Sequence, residues 1–171
     1  MVAAVAAVAV SVTIKPAVKD SKMIRLATRA DLNLVTDLLV EFLLETSYNK
    51  HTDAIDREHI KKLVFTVLHH GYVWLYFNQE IAIGLLVAVK EQNMWMPNKT
   101  SLRELVWFVR EEYRGTLGAG RLFIKFCEQG DLLLDKDEIQ GYFTTRMTST
   151  TDYDLERRGF RLTEKLYLKD N

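Results

Sequence analysis

Between residues 72 and 109 the chain passes through three apolar, β-rich segments with no helical period between them. Residues 72–77 are aromatic and β-branched, Asn78 and Gln79 read as a turn, and residues 81–89 form a nearly continuous apolar run around Gly84. That pattern predicts a hairpin. A polar loop over residues 90–100, holding Trp95 and Pro97, leads to a third strand at 102–109. Strands that follow one another without crossover helices run antiparallel, which excludes a doubly wound parallel sheet at the centre of the chain.

Helical periods frame this block. A short strand at 24–28 precedes Asp31, which reads as a helix N-cap, and Leu34, Val35, Leu38, Leu39, Phe42 and Leu43 follow at spacings of three and four up to about Thr46. A second amphipathic helix starts around Asp56, carries Ile60, Leu63, Val64, Val67 and Leu68 on one face, and stops at Gly71, read as its C-terminal cap. After the third strand a glycine-rich turn at 113–120 opens a helix through Leu122, Phe123, Phe126 and Cys127. A short strand at 139–145, a short helix at 149–158 and a last strand at 160–168 complete the order β, α, α, β, β, β, α, β, α, β. The fold class is α/β (α+β): a mixed, mostly antiparallel sheet covered by helices.

Composition limits the function. Residues 1–22 hold six Ala and six Val and form an N-terminal extension; the domain is 23–171, and Met23 offers an alternative start. The alternation of Val8, Val10, Val12 and Ile14 with smaller or polar residues suits an edge strand as well as a loose arm. No positive region precedes Val2, so export by a signal is not expected. The whole chain has 23 basic and 23 acidic residues, and the domain alone carries slightly more acid than base, which disfavours generic nucleic-acid binding. No run is long enough for a membrane span. Cys127 is the single cysteine and falls on the apolar face of its helix, so it reads as a core residue in a reducing, cytoplasmic setting. His69 and His70 close a helix, and His51 and His59 are too far apart for a metal pair, so no metal is expected.

The turn at 113–120 carries the chemistry. Gly115, Gly118 and Gly120 let backbone approach a ligand, the helix N-terminus favours an anion, and Arg114 and Arg121 add charge. The competing reading is a tight turn that lets the helix pack on the sheet. Arg121-Leu122 stands where a P-loop needs Lys followed by Ser or Thr, and the glycine spacing does not match a dinucleotide-binding fingerprint.

The stretch Val109-Arg110-Glu111-Glu112-Tyr113-Arg114-Gly115 resembles the "V-x-P-E-Y-R-G" entry to the acetyl-coenzyme A loop of the GNAT family of N-acetyltransferases, with Glu111 in place of Pro. The opening residues 23–28 with Asp31, and Arg158-Gly159-Phe160 as a late "G-F" turn, resemble the same family, over residues 23–168. Trp95, Pro97, Glu104 and Trp107-Phe108-Val109 resemble a subset met in phage and environmental sequences. One departure is the loop: three residues, Gly115, Thr116 and Leu117, separate Arg114 from Gly118, one more than usual. Either the loop bulges with Arg114 still beside the pyrophosphate, or Gly115 takes the arginine's place and Arg114 points elsewhere.

The resemblance implies a twisted sheet of six to seven strands with helices on both faces, and acetyl transfer from acetyl-CoA to an amine-bearing small molecule or peptide. Trp107, Phe108 and Val109 would pair with the pantetheine arm. Arg114, Gly115, Thr116, Leu117, Gly118, Ala119, Gly120 and Arg121 would hold the pyrophosphate, the amides of 117–121 in either loop arrangement. Glu104 is the candidate base, although the two-residue strand period sets it opposite Val109 unless a bulge intervenes. Tyr153 is the candidate acid, since the family's tyrosine position holds Leu155. Glu41, Glu45, Glu91 and Trp95 are candidates on the substrate side. A homodimer is left open. The rival readings are a module of this fold that binds CoA or a protein partner without turnover, and an interaction protein that pairs through its Val/Ala arm.

Overall fold

The computed structural model describes residues 22–46, 55–115, 117–145 and 154–163. Among them the sheet has five strands, in the order β1 (Lys22–Leu26), β2 (Gly71–Asn78), β3 (Ile81–Gln92), β4 (Thr100–Val109) and β5 (Tyr142–Phe143). The first four are antiparallel neighbours, and β5 lies parallel to β4. Helices α1 (Leu32–Glu45) and α2 (Arg57–His70) pack on one face, and α3 (Leu117–Asp135) packs on the other. The mixed, mostly antiparallel architecture is the one expected, with five described strands where six or seven were predicted.

The shortfall lies at the C-terminal end. The strand predicted at 139–145 is two residues long, and residues 160–163, predicted to begin the last strand, are irregular. Phe160 follows the left-handed Gly159 and packs its ring on Phe123 and Tyr142, so this segment is held by aromatic contact rather than by a ladder. Residues 1–21, Thr116, Tyr153, the first half of the helix predicted at 149–158, and 164–168 lie outside the described residues, and the second half of that helix holds a 3-10 turn at Glu156–Arg158.

Two apolar layers sandwich the sheet. Val35, Leu38, Ile60 and Val64 meet Val73, Leu75, Leu85, Val87 and Phe108 on the α1–α2 side. On the α3 side, Leu122, Phe123, Phe126 and Leu133 meet Trp74, Tyr76, Leu86, Ala88, Leu102 and Val109. Strand β3 is buried on both faces, which explains its unbroken apolar run. The thiol of Cys127, half-buried in the α3 layer, is pushed up to about 11 chiefly by burial, as suits a packing residue.

Gly71 is the C-cap of α2, as expected, in an extended conformation. Helix α2 runs straight into β2 there, and a Cβ on Gly71 would lie 2.6 Å from the Ala88 carbonyl oxygen, so close approach explains the glycine. Two other local readings are corrected. The β2–β3 turn is at Gln79 and Glu80, one residue later than predicted, with Gln79 at φ 56. Asp31 does not cap α1 with its side chain. It closes a 3-10 turn instead, accepting from the Thr28 amide at 2.7 Å and from both terminal nitrogens of Arg25 at 2.8 and 2.7 Å. Asp56 does cap α2, accepting from the His59 amide at 3.0 Å.

The Arg25 fork holds the Asp31 carboxyl well below the usual carboxylate range, helped by the Thr28 donors. Asp31→Ala should lower the unfolding free energy by about 1–3 kcal/mol, measured by urea unfolding at pH 7. Because the folded value lies below the unfolded one, the contribution is complete above the ordinary carboxylate range and fades in acid. The gap between the two proteins should therefore narrow below about pH 4. A gap that is constant with pH would remove the ion pair as its source.

Candidate active site

Strand β4 is paired on one side along its whole length, by β3, and on the other only at its beginning. Leu102 and Arg103 meet Tyr142 and Phe143 of β5, and beyond that point no described strand borders this edge. The register of β3 against β4 slips between Val87 and Ala88, leaving Leu105 as an extra residue, a β-bulge. The bulge resets the side-chain parity. Glu104, opposite Ala88, comes to the α3 face with Trp107 and Val109, so the unbroken alternation does not hold.

The bonding phase of the ladder follows from Arg110, whose amide donates to the Ile83 carbonyl at 2.9 Å. Residues alternate in an antiparallel pair, so Phe108 turns its amide groups to β3, whereas Trp107 and Val109 turn theirs to the open side. Of the three residues expected to face a pantetheine arm, two have that orientation. The Trp107 ring stacks on Phe123 of α3 at 4.9 Å.

Glu104 sits where the two strands part. Its residue is 3% exposed, and its Oε2 accepts from Thr144 Oγ1 at 2.9 Å and from the Thr145 amide at 3.2 Å. Burial raises the pKa of its carboxyl above the ordinary value, and these donors only partly offset it. A carboxylate poised this way is a stronger base than an exposed one.

At the far end of β4 the chain enters the glycine turn. Gly115 adopts φ 73, a left-handed conformation with open space around it. Gly118, in the first turn of α3, is buried, and a Cβ there would overlap the hydroxyl of Tyr76. Its lack of a side chain serves packing on the sheet. Ala119 and Gly120 are half-buried, and Arg121 is exposed with no ion pair among the described residues. Arg114 turns away from the helix: its Nε donates to the Val109 carbonyl at 2.6 Å, its Nη2 pairs with Glu45, and it lies 5.8 Å over the Phe108 ring. Of the two loop arrangements, this is the one in which Arg114 points elsewhere.

The substrate-side candidates are spread out. Glu41 receives both Nε and Nη2 of Arg110 at 2.7 Å, so Glu41 and Glu45 form a double clamp from α1 to the end of β4. Glu91 accepts from Arg103 Nε at 2.7 Å, on the opposite face of the sheet from Glu104. Trp95 is 84% exposed at the tip of the β3–β4 loop, where Asn93 Oδ1 accepts from the amides of Trp95 and Met96. Sequence reasoning missed Tyr76, Arg110, Thr144 and Thr145. Only Arg110 left a signal, because Glu41 and Glu45 are four apart, as are Arg110 and Arg114.

No family model matches the sequence, and no curated protein matches it. Solved structures do match. A possible acetyltransferase from Clostridium difficile is 17% identical, with 87% of this chain and 97% of that one covered and a TM-score of 0.60. A GNAT family acetyltransferase from Staphylococcus aureus is 17% identical, with 88% and 98% covered and a TM-score of 0.57. The enzyme AAC(6')-Iy, solved with a CoA-based bisubstrate analogue, is 14% identical, with 88% and 97% covered and a TM-score of 0.59. The chain thus has the fold of the GNAT acetyltransferases. Among the described residues, no helix is long and apolar enough to cross a membrane.

Gly118→Ala should lower stability by about 1–3 kcal/mol in a melt without any ligand, because the buried Tyr76 ring has nowhere to go. An unchanged melting temperature would show that the turn tolerates a side chain and that Gly118 is not a packing residue.

Proposed function

We propose that the chain is an acetyl-CoA-dependent N-acetyltransferase acting on a primary amine of a small molecule or peptide. The observation that carries this reading is the parting of β4 from β5 at a buried carboxylate, with the open edge running on to the first turn of α3. The likeness in fold to acetyltransferases supports it, as does a neighbour bound to an analogue that joins CoA to an amine substrate.

Acetyl-CoA supplies an activated acyl thioester that a neutral amine can attack. The chain's residues take the remaining roles. The amides of 117–121 at the start of α3, with the Arg121 guanidinium, hold the diphosphate, while Arg114 keeps to Glu45 and Val109. The backbone groups that Trp107 turns to the open side, together with the Val109 amide, would orient an extended pantetheine chain by strand addition and stabilise charge on the thioester oxygen, the Val109 carbonyl being held by Arg114. Glu104 accepts the proton from the amine, kept available by its raised pKa and oriented by Thr144 and Thr145. Tyr153 or water returns a proton to the thiolate. The setting is cytoplasmic, where acetyl-CoA is at hand.

Three measurements test this. Thermal melts with acetyl-CoA should rise, by about 2.7 kcal/mol of added stability at a hundred times the dissociation constant, and no rise at millimolar ligand would sink the cofactor reading. Free-thiol release against a panel of amines, peptides and aminoglycosides should then identify the acceptor. Silence with cofactor bound would favour a binding module, a reading that Leu155 in the family's tyrosine position also suits. Glu104→Gln should slow turnover by about a hundredfold or more at neutral pH and abolish the acid limb of the rate profile. The sign follows from the raised pKa: wild-type rate falls as pH drops through it and the base is protonated. An acid limb that survives in the variant would remove Glu104 from the mechanism.

A further inference from the structure

The phenol of Tyr76 is an anomaly. The residue is 1% exposed, and its hydroxyl is the one fully buried side-chain polar atom without a hydrogen-bond partner among the described residues. Folded proteins seldom leave such a group unmatched, so each instance asks for a partner that arrives later or a reason for its absence. Tyr76 stands on β2 in one cross-strand row with Gly84 of β3 and Val109 of β4. Its hydroxyl ends against the Cα of Gly118, in the first turn of α3. With no side chain on Gly118, the phenol reaches the backbone of that first turn.

The chemistry of that place is one-sided. The first amides of a helix have no intrahelical acceptor, so they offer N–H donors and a partial positive charge. Arg121 adds another donor from solvent. A phenol beside donors gains most from a group that accepts several hydrogen bonds at once, and a phosphate oxygen is such a group. We infer that the Tyr76 hydroxyl is a ligand-binding group, donating directly or through one water to a phosphate oxygen held at the start of α3. This rests on the acetyl-CoA reading and adds to it a residue that lies on β2, outside the turn.

The test compares the full chain with Tyr76→Phe, which removes one oxygen and leaves the ring. Isothermal titration with CoA should give a dissociation constant about tenfold weaker in the variant, the size expected of one hydrogen bond to a charged group. The unliganded melting temperature should stay level or rise, because the unmatched hydroxyl is gone. Phosphorus NMR of bound CoA should show the diphosphate signals displaced between the two complexes. Equal affinities and unmoved signals would overturn the inference while leaving the acetyl-CoA reading intact, since the phenol would then be filling space only. If neither protein binds CoA, the reading and the inference fall together. Should the variant be unstable, Gly118→Ala offers no substitute, and a through-space proton–phosphorus correlation between the Tyr76 side chain and the bound diphosphate of the wild-type complex would carry the comparison: no such contact would overturn the proposal.

Discussion

The side chain of Glu104 takes the donor that the next rung of the β4–β5 ladder needs. In a continuing parallel pair, the Thr145 amide would bond the Glu104 carbonyl; it bonds Oε2 of the same residue instead, at 3.2 Å. Pairing stops there, and the strand edge is released to whatever extended chain can replace β5. The carboxylate is held in a buried position by the same contact, and burial raises its pKa. One side chain thus ends the ladder, opens the edge and places a carboxyl of raised pKa beside it.

The other end of the open edge is positioned by charge. Arg110 and Arg114 leave β4 and reach back to Glu41 and Glu45, one turn apart on α1. These pairs are partly exposed, so each is worth only about 0–1 kcal/mol, and they are poor candidates for holding the fold together. The two-pronged Arg110–Glu41 contact does fix direction, which a single point charge would not. With Phe42 against Phe108 at 6.0 Å beneath it, the clamp sets α1 against the end of β4. The clamp places α1 beside the site, where an acceptor-binding surface would need a rigid wall.

Much of this was legible in the sequence, for identifiable reasons. Three strands without crossovers, two periodic helices and a glycine turn are patterns of one segment with itself, and periodicity reports such patterns directly. The start of α2 near Asp56 was readable because the apolar period belongs to that helix alone, whereas Asp31, read as a cap, is drawn to Arg25 instead. The bulge at Leu105 was not readable, because it depends on how β3 slips against β4, and so the face on which Glu104 lies could only be left conditional. The two-residue length of β5 was hidden for the same kind of reason: its end is decided by a side chain forty-one positions away. Tyr76 looked like one more aromatic residue in an apolar run, and nothing local marks the glycine it touches.

The glycine turn shows how one motif can carry two roles. Read as a sequence, its glycines serve either a phosphate or the packing of the helix on the sheet. In the fold, Gly115 supplies a left-handed bend and Gly118 supplies room for Tyr76. These two roles also account for the extra residue in the loop. The bend at Gly115 lets Arg114 swing toward α1, and the contact between Gly118 and Tyr76 anchors the first turn of α3 to β2 whatever the loop before it does. The helix end is therefore placed by the sheet and not by the loop, so an added residue can be absorbed without moving the amides. The cost is that Arg114 no longer faces them. On the proposed function, anion binding here would rest on backbone donors and Arg121, a division of labour that tolerates variation in the loop because backbone amides are present whatever the side chains are.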